Sequence, residues 1–249
     1  MTDPARTDAT TSASLARAAI RDALSTEKWR PGEQLPAERG LSEMLGVNRM
    51  SLRQALLALE NEGAVFRVDR KGWFVSQKRF DYDLMNHVSF ERAAAAQGTA
   101  TWTDLDQDVV EADAGNAALF GLNAGDPLLR IRGWGAFNGH RAFMHDVMIN
   151  LSAAPDFAER LAGQSFTTVW IEHYGVDPRL SGLRIRPVRL EGLAQQILGC
   201  TNGAPGLYIR RIKTNADGQV IQIDREFWRF ESLELHISPD AVSPGGTDR

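Results

Sequence analysis

The feature that most constrains this chain is a spacing near its N-terminus. A helix-length stretch over 37–45 is entered by Pro36 and stopped by Gly46. After Val47 and Asn48 a second stretch runs from Arg49 to Glu62, with an apolar stripe of Leu52, Ala55, Leu56 and Leu59, and stops at Gly63. Two helices separated by about three residues, with glycine in the turn, form a helix-turn-helix. Two short β-prone runs follow, Ala64–Val68 and Trp73–Ser76, joined by Asp69-Arg70-Lys71-Gly72. A glycine-containing loop between such runs predicts a hairpin, here a small basic wing. Ahead of these, Leu15, Ala19, Ala23 and Ile20, Leu24 predict a helix over 15–27, ended by Pro31-Gly32.

Charge is distributed unevenly. The whole chain of 249 residues carries a net charge of −4. Residues 14–78 hold 11 Lys/Arg against 8 Asp/Glu, a net +3, and the remainder holds 17 against 24, a net −7. A basic segment joined to an acidic body points to two modules with different partners. No apolar run approaches the roughly 18 residues that would span a membrane, and the N-terminus has no apolar signal core. The single cysteine, Cys200, excludes an internal disulfide. The expected location is cytoplasmic, with no membrane partner.

The expected organisation is a disordered tail over 1–13, a winged helix-turn-helix domain over 14–76, a linker over 77–86, a second domain over 87–238 and a tail over 239–249. In the second domain, strands are predicted at Trp102–Glu111, Pro127–Phe137, Arg141–Leu151, Arg184–Arg189, Gly206–Thr214 and Val220–Arg229. Helices are predicted at 89–97, 113–120, 155–161, 166–174 and 191–198. Asn138-Gly139 and Asp217-Gly218 mark hairpins. Strands and helices mix without regular βαβ alternation, so the expected class is α+β with an antiparallel sheet.

A recognition helix presents its N-terminal residues to base edges in the major groove. Here that end carries Asn48, Arg49, Ser51 and Arg53, with Arg49 and Arg53 one turn apart on one face. Arginine forks onto guanine or binds phosphate. Arg39, early in the preceding helix, is placed for a backbone phosphate, and Lys71 with Gly72 at the wing tip for the adjacent minor groove.

The run LPAERGLSEMLGVNRMSLRQALLALENEGAVFRVDRKGWFV, Leu35 to Val75, resembles the winged helix of GntR-type bacterial transcription regulators. The resemblance implies DNA contacts at Arg39, Arg49, Arg53 and Gly72. The chain departs from the family pattern at Ala37 and Asn48, where serine is usual, and at Trp73, where threonine is usual.

The body resembles the UTRA effector domain of the HutC subfamily, in the segments SFERAAAAQG, PLLRIRGWGAFNGHRAFMHDVMI, QSFTTVWIEHYG and QIDREFWR. This implies a chorismate-lyase-like fold that binds a small molecule between sheet and helices. The implied effector residues are Ser89, Phe90, Ser165, Thr167, His145 and Gln222, the last two standing where relatives carry glutamates. Relatives also carry an Arg-x-Arg pair that grips phosphate. Alignment places Gly133 and Gly135 there, with Arg130 and Arg132 just upstream on one face of the strand. Either a register shift restores the clamp through Arg130 and Arg132, or the ligand is not a plain phosphate ester.

Other signals are weaker. His140, His145 and Asp146 lack a shared face for a metal, so none is expected. Asp104, Asp106 and Asp108 alternate along one face of a predicted strand and read as a solvated edge. No P-loop, Gly-x-Gly-x-x-Gly or nucleophile elbow occurs, and no cofactor is implied. The expected protein is a homodimeric repressor that binds an inverted repeat in double-stranded operator DNA. Its effector is expected to be a small anionic metabolite, a phosphonate, phosphosugar or carboxylate. The alternative is a chorismate-lyase-like enzyme with an appended interaction domain.

Overall fold

The computed structural model describes residues 4–84 and 90–236; Ser89 and the expected tail over 239–249 lie outside them. The chain divides into two units. One holds the chain up to Arg79 with residues 189–205 and 229–232; the other holds 80–188, 206–228 and the stretch from Leu233.

The first unit contains helices α1 (Pro4–Ser25), α2 (Glu38–Leu45) and α3 (Arg49–Asn61), then strands β1 (Val65–Val68) and β2 (Gly72–Val75). β1 and β2 form an antiparallel hairpin in which Val65 faces Val75 and Val68 faces Gly72. One core joins the helices to the wing through Ile20, Leu41, Leu52, Leu56, Leu59, Val65 and Trp73. α1 begins at Pro4, so the segment expected as a tail over 1–13 is largely helical. Proline suits the first turn of a helix, and the buried residues Ala16 and Ile20 anchor the rest. The apolar stripe starts only near residue 15, so periodicity alone did not reveal the preceding turns.

The second unit contains β3 (Phe80–Asp83), α4 (Phe90–Ala94), β4 (Ala100–Glu111), α5 (Ala114–Phe120), β5 (Pro127–Phe137), β6 (His140–Asn150), α6 (Phe157–Leu161) and α7 (Phe166–Tyr174). β7 (Arg179–Leu190), β8 (Ala204–Thr214), β9 (Val220–Arg229) and β10 (Leu233–His236) follow, while α8 (Gly192–Leu198), between β7 and β8 in the chain, falls in the first unit. Six strands form one sheet in the order β4-β5-β6-β9-β8-β7; the pairs β4–β5, β5–β6 and β6–β9 are antiparallel. Side chains alternate between its faces. Leu129, Ile131, Val147 and Ile149 pack against α6 and α7 on one face. Leu128, Met148 and Ile223 pack with Ala117 and Phe120 of α5 on the other.

The expected linker over 77–86 contains a strand. β3 pairs in parallel with β10, Phe80 beside Leu233, and buries Phe80 and Tyr82. A four-residue strand shows at most two alternating apolar residues. Its partner lies far along the chain, so no local pattern announces it. No helix among the described residues is long and apolar enough to cross a membrane.

Candidate functional site

The face of α3 away from the core is assembled by helical spacing. Arg49, Met50, Arg53, Gln54 and Leu57 are exposed, while Ser51, Leu52, Ala55 and Leu56 are buried. Arg49 and Arg53 therefore share one open face, with Met50, 67% exposed, beside them. Met50 escaped the sequence reading because an apolar residue in an amphipathic helix reads as core. The other two residues expected here also shape the helix. The Asn48 side chain caps α3 by accepting from Ser51 N at 2.8 Å, and Ser51 is only 1% exposed. Both build the start of the helix, as an N-cap does by satisfying an orphan amide. Arg39 is exposed on α2 and pairs with Glu43 one turn on, at 3.1 Å.

The wing tip turns through Arg70 at φ +59° and Gly72 at φ +100°. Glycine suits this left-handed region because it lacks a Cβ. Arg70 and Lys71 are exposed there. The Gln34 side chain donates to the Lys71 carbonyl and fastens the loop. Trp73, the departure from the family pattern, points inward; it is buried and donates from Nε1 to Glu38 Oε1 at 3.0 Å. It therefore ties the wing to the first turn of α2.

The second unit holds a cavity of about 240 Å³, partly open to solvent, between the sheet and the start of α7. Phe90, Ser165, Thr167 and Gln222, four of the residues named above for the effector, line it. Ser165 is the N-cap of α7, its Oγ accepting from Thr168 N at 3.1 Å. The positive end of a helix thus opens on the cavity. Gln222 is buried and fixed from both ends: it accepts from Trp170 Nε1 at 2.7 Å and donates to Asp224 Oδ1 at 2.5 Å.

Arg130 and Arg132 are not on the cavity. Their offset from Gly133 and Gly135 is odd, so alternation sends them through the opposite face. There Arg130 forks onto Asp146, Nε to Oδ1 at 3.0 Å and Nη2 to Oδ2 at 2.6 Å. Arg132 pairs with Asp106 at 2.8 Å and reaches Asp108 at 3.7 Å. A register shift does not restore the clamp. Nor do the two glycines leave open space. A Cβ on Gly133 would meet Thr103 O and, at 2.6 Å, His145 Nε2. One on Gly135 would collide with the Phe143 ring.

His145 is accordingly part of the wall's backing rather than of its surface. It is fully buried, stacks on Trp102 with centroids 4.0 Å apart, and leaves its Nδ1 without a hydrogen-bond partner. Burial pushes its pKa down to about 4, so it is neutral near pH 7.

The aspartates of β4 do not share one face. The pairing with β5 shifts register between Asp104, opposite Gly133, and Asp106, opposite Arg132. This bulge re-aims the strand. Asp104 lines the cavity, whereas Asp106 and Asp108 sit with Arg132 on the other side. Asp104 Oδ1 accepts from Trp102 Nε1 at 2.8 Å, and burial raises its carboxyl above the usual range despite that bond.

Sequence reasoning also missed the cavity's charged rung. Arg211 and Lys213 of β8 face Asp224 and Glu226 of β9 inside it. Lys213 Nζ lies 3.1 Å and Arg211 Nε 3.5 Å from Asp224 Oδ2, and Arg211 also pairs with Glu226. The flanking cations hold the Asp224 carboxyl below its ordinary range, against the upward push of burial, while burial pulls the Lys213 amine down. The signal was available: two cations two residues apart, across a predicted Asp-Gly hairpin from two carboxylates two residues apart.

A winged helix with an exposed basic stripe, followed by an antiparallel domain with a ligand-sized cavity, defines a ligand-responsive transcription regulator. Residues 13–75 match the family described as bacterial regulatory proteins, gntR family, and residues 95–234 match the UTRA domain. The HTH-type transcriptional regulator YihL of Escherichia coli is 41% identical over 224 residues, 88% of this chain and 92% of that protein. The HTH-type transcriptional repressor NagR of Bacillus subtilis is 26% identical over 90% of this chain and 93% of its own. The crystal structure of PhnF from Mycobacterium smegmatis shares the fold, with a TM-score of 0.63 at 23% identity, covering 91% of this chain and all of that one. The chain belongs to the GntR family of transcription regulators, with a UTRA effector domain, an arrangement consistent with the HutC-type subfamily. Members of this family are transcription regulators and not enzymes, which sets aside the chorismate-lyase-like alternative.

Proposed function

We propose that the protein is a cytoplasmic repressor that holds an inverted repeat as a homodimer and leaves it when a small metabolite fills the cavity of the second unit. The observation that carries this reading is the pairing of two features in one chain: the open Arg49–Arg53 face of α3, and a cavity lined by residues of opposite charge and by aromatic rings. A single winged helix makes too few base contacts for tight specificity, so two copies on two half-sites are needed, and a symmetric operator follows from a symmetric dimer.

Arg49 and Arg53 serve base edges, Arg39 serves phosphates, and the wing tip at Lys71 and Gly72 enters the adjacent minor groove, where Lys71 and Arg70 also meet the flanking phosphates. In the cavity, the start of α7 at Ser165 and Thr167 receives an acidic or hydrogen-bond-accepting end of the effector, with Lys213 on the same cavity as a donor. Phe90 and Gln222 bound the rest. Effector binding releases DNA only if it favours one arrangement of the dimer over another. Footprinting of the DNA upstream of the protein's own gene, with light scattering on the free protein, tests the reading. Protection of an inverted repeat by a dimer supports it. A single asymmetric half-site, or a stable monomer, overturns it.

A further inference from the structure

The cavity carries more chemistry than an anion site needs, and its charges are unequal. Among the described residues, Arg211 and Lys213 are the cations lining it, and Asp104, Asp224 and Glu226 are the carboxylates. Both cations are engaged by Asp224 and Glu226. Asp104 is left with the Trp102 indole and, 3.6 Å from its Oδ1, the His145 ring. That imidazole is neutral, so it does not balance the carboxylate. Among the described residues no lysine or arginine pairs with Asp104.

Around this carboxylate the wall is aromatic. Trp102 stands 5.5 Å from Phe143 and 5.5 Å from Phe166, and Phe143 stacks on Trp228 at 4.1 Å. All four rings line the cavity. The wall exists because Gly133 and Gly135 let His145 and Phe143 fold onto β5, in the place an arginine clamp would need. Aromatic faces with an unbalanced carboxylate are the environment that recognises an organic ammonium. A second anion would raise the negative charge of a partly buried space, whereas an ammonium supplies the charge that Asp104 lacks.

We infer that the effector carries a protonated amine, seated against Asp104 and the aromatic wall of Trp102, Phe143, Phe166 and Trp228. The inference rests on reading this cavity as the effector site. It turns the expected anionic metabolite into an amine-bearing one, whose other end meets the start of α7. The bulge between Asp104 and Asp106 is what brings the carboxylate into the cavity, so Asp104 is the residue that sets specificity.

The test uses the full chain and matched probes that differ in one amine: glucosamine against glucose, ethanolamine phosphate against ethyl phosphate, and 4-aminobutyrate against butyrate. Calorimetry is expected to show the amine-bearing member of at least one pair binding at least tenfold more tightly than its partner. Asp104→Asn keeps an acceptor for Trp102 and is expected to erase that preference. Equal binding within every pair, no binding by any of the three amines, or a preference that survives in Asp104→Asn overturns the inference. If that variant does not fold, the comparison of pairs in the wild-type protein decides alone. Thr167→Trp, which fills the cavity, separates this failure from failure of the effector reading. A bound probe unaffected by Thr167→Trp binds elsewhere, and the cavity assignment then falls. An amine-free probe that releases DNA and is blocked by Thr167→Trp overturns the amine alone.

Discussion

Gly133 on β5 lies directly opposite His145 on β6, and the imidazole covers the glycine so closely that a Cβ would come within 2.6 Å of Nε2. The same Cβ would meet the backbone carbonyl of Thr103, which cannot rotate aside. Gly133→Ala is therefore expected to lower stability by about 1–3 kcal/mol, the usual cost of overpacking. Gly133→Arg is expected to cost at least as much and to create no phosphate clamp. Urea denaturation checks both. A midpoint unchanged in Gly133→Ala would show that the wall gives way easily.

Burying His145 makes stability depend on pH, because desolvation of the ring outweighs the pull of the carboxylates near it. Unfolded, it titrates near its ordinary value of 6.5; folded, near 4. Between those values the unfolded chain takes up the proton first. Stability is thus untouched by this group above about pH 6.5 and falls as pH drops toward about 4, by roughly 1.4 kcal/mol per pH unit. Asp104 pulls the other way: its raised pKa lets the folded state bind a proton before the unfolded chain does. In His145→Gln, the loss of stability between pH 7 and pH 4.5 is expected to shrink by about 2–3 kcal/mol relative to wild type. Parallel slopes for the two proteins in thermal melts would place the acid sensitivity elsewhere.

What was legible in the sequence follows from how local each signal is. The helix-turn-helix shows in residues close in the chain: Asn48 as cap, Gly46 and Gly63 as stops, and an apolar stripe at helical spacing. The long strands β5 and β9 show for the same reason, as do their turns. Cavity chemistry depends instead on which face a side chain takes. One bulge in β4 moves Asp104 away from Asp106, and an odd offset in β5 moves Arg130 and Arg132 away from Gly133. No residue type marks the bulge, whereas the odd offset is written in the sequence and needs only strict alternation along β5 to be read. β3 and β10 pair across nearly the whole second unit, so their pairing leaves no local trace.

The cap of α3 separates a structural role from a DNA contact at adjacent positions. Asn48→Ala removes the acceptor for Ser51 N and is expected to destabilise the protein by about 1 kcal/mol. Asn48→Ser or Asn48→Asp supplies another acceptor and is expected to recover most of that loss. If Asn48 mainly touched DNA, its alanine variant would melt like wild type and differ only in operator affinity. Chemical denaturation beside fluorescence anisotropy distinguishes the two.

Arg49 and Arg53 occupy the open face of α3, with Met50 and Gln54 between and beside them. Lys71 and Arg70 stand apart, on the wing tip. The two groups are expected to fail differently. Arginines that fork onto base edges lose about 1–3 kcal/mol each on truncation and relax specificity at one position. A phosphate-binding lysine weakens all sequences alike and lowers the salt slope by about one. Arg49→Ala and Arg53→Ala are therefore expected to weaken operator binding about 5- to 150-fold, and nonspecific DNA much less. Lys71→Ala is expected to weaken both by a similar factor, with a shallower dependence on salt. Anisotropy titrations at several fixed salt concentrations, on operator and scrambled duplexes, read all three variants. Operator affinity equal to wild type in Arg49→Ala and Arg53→Ala would mean that α3 does not enter the groove by this face. An unchanged salt slope in Lys71→Ala would remove the wing from the phosphates.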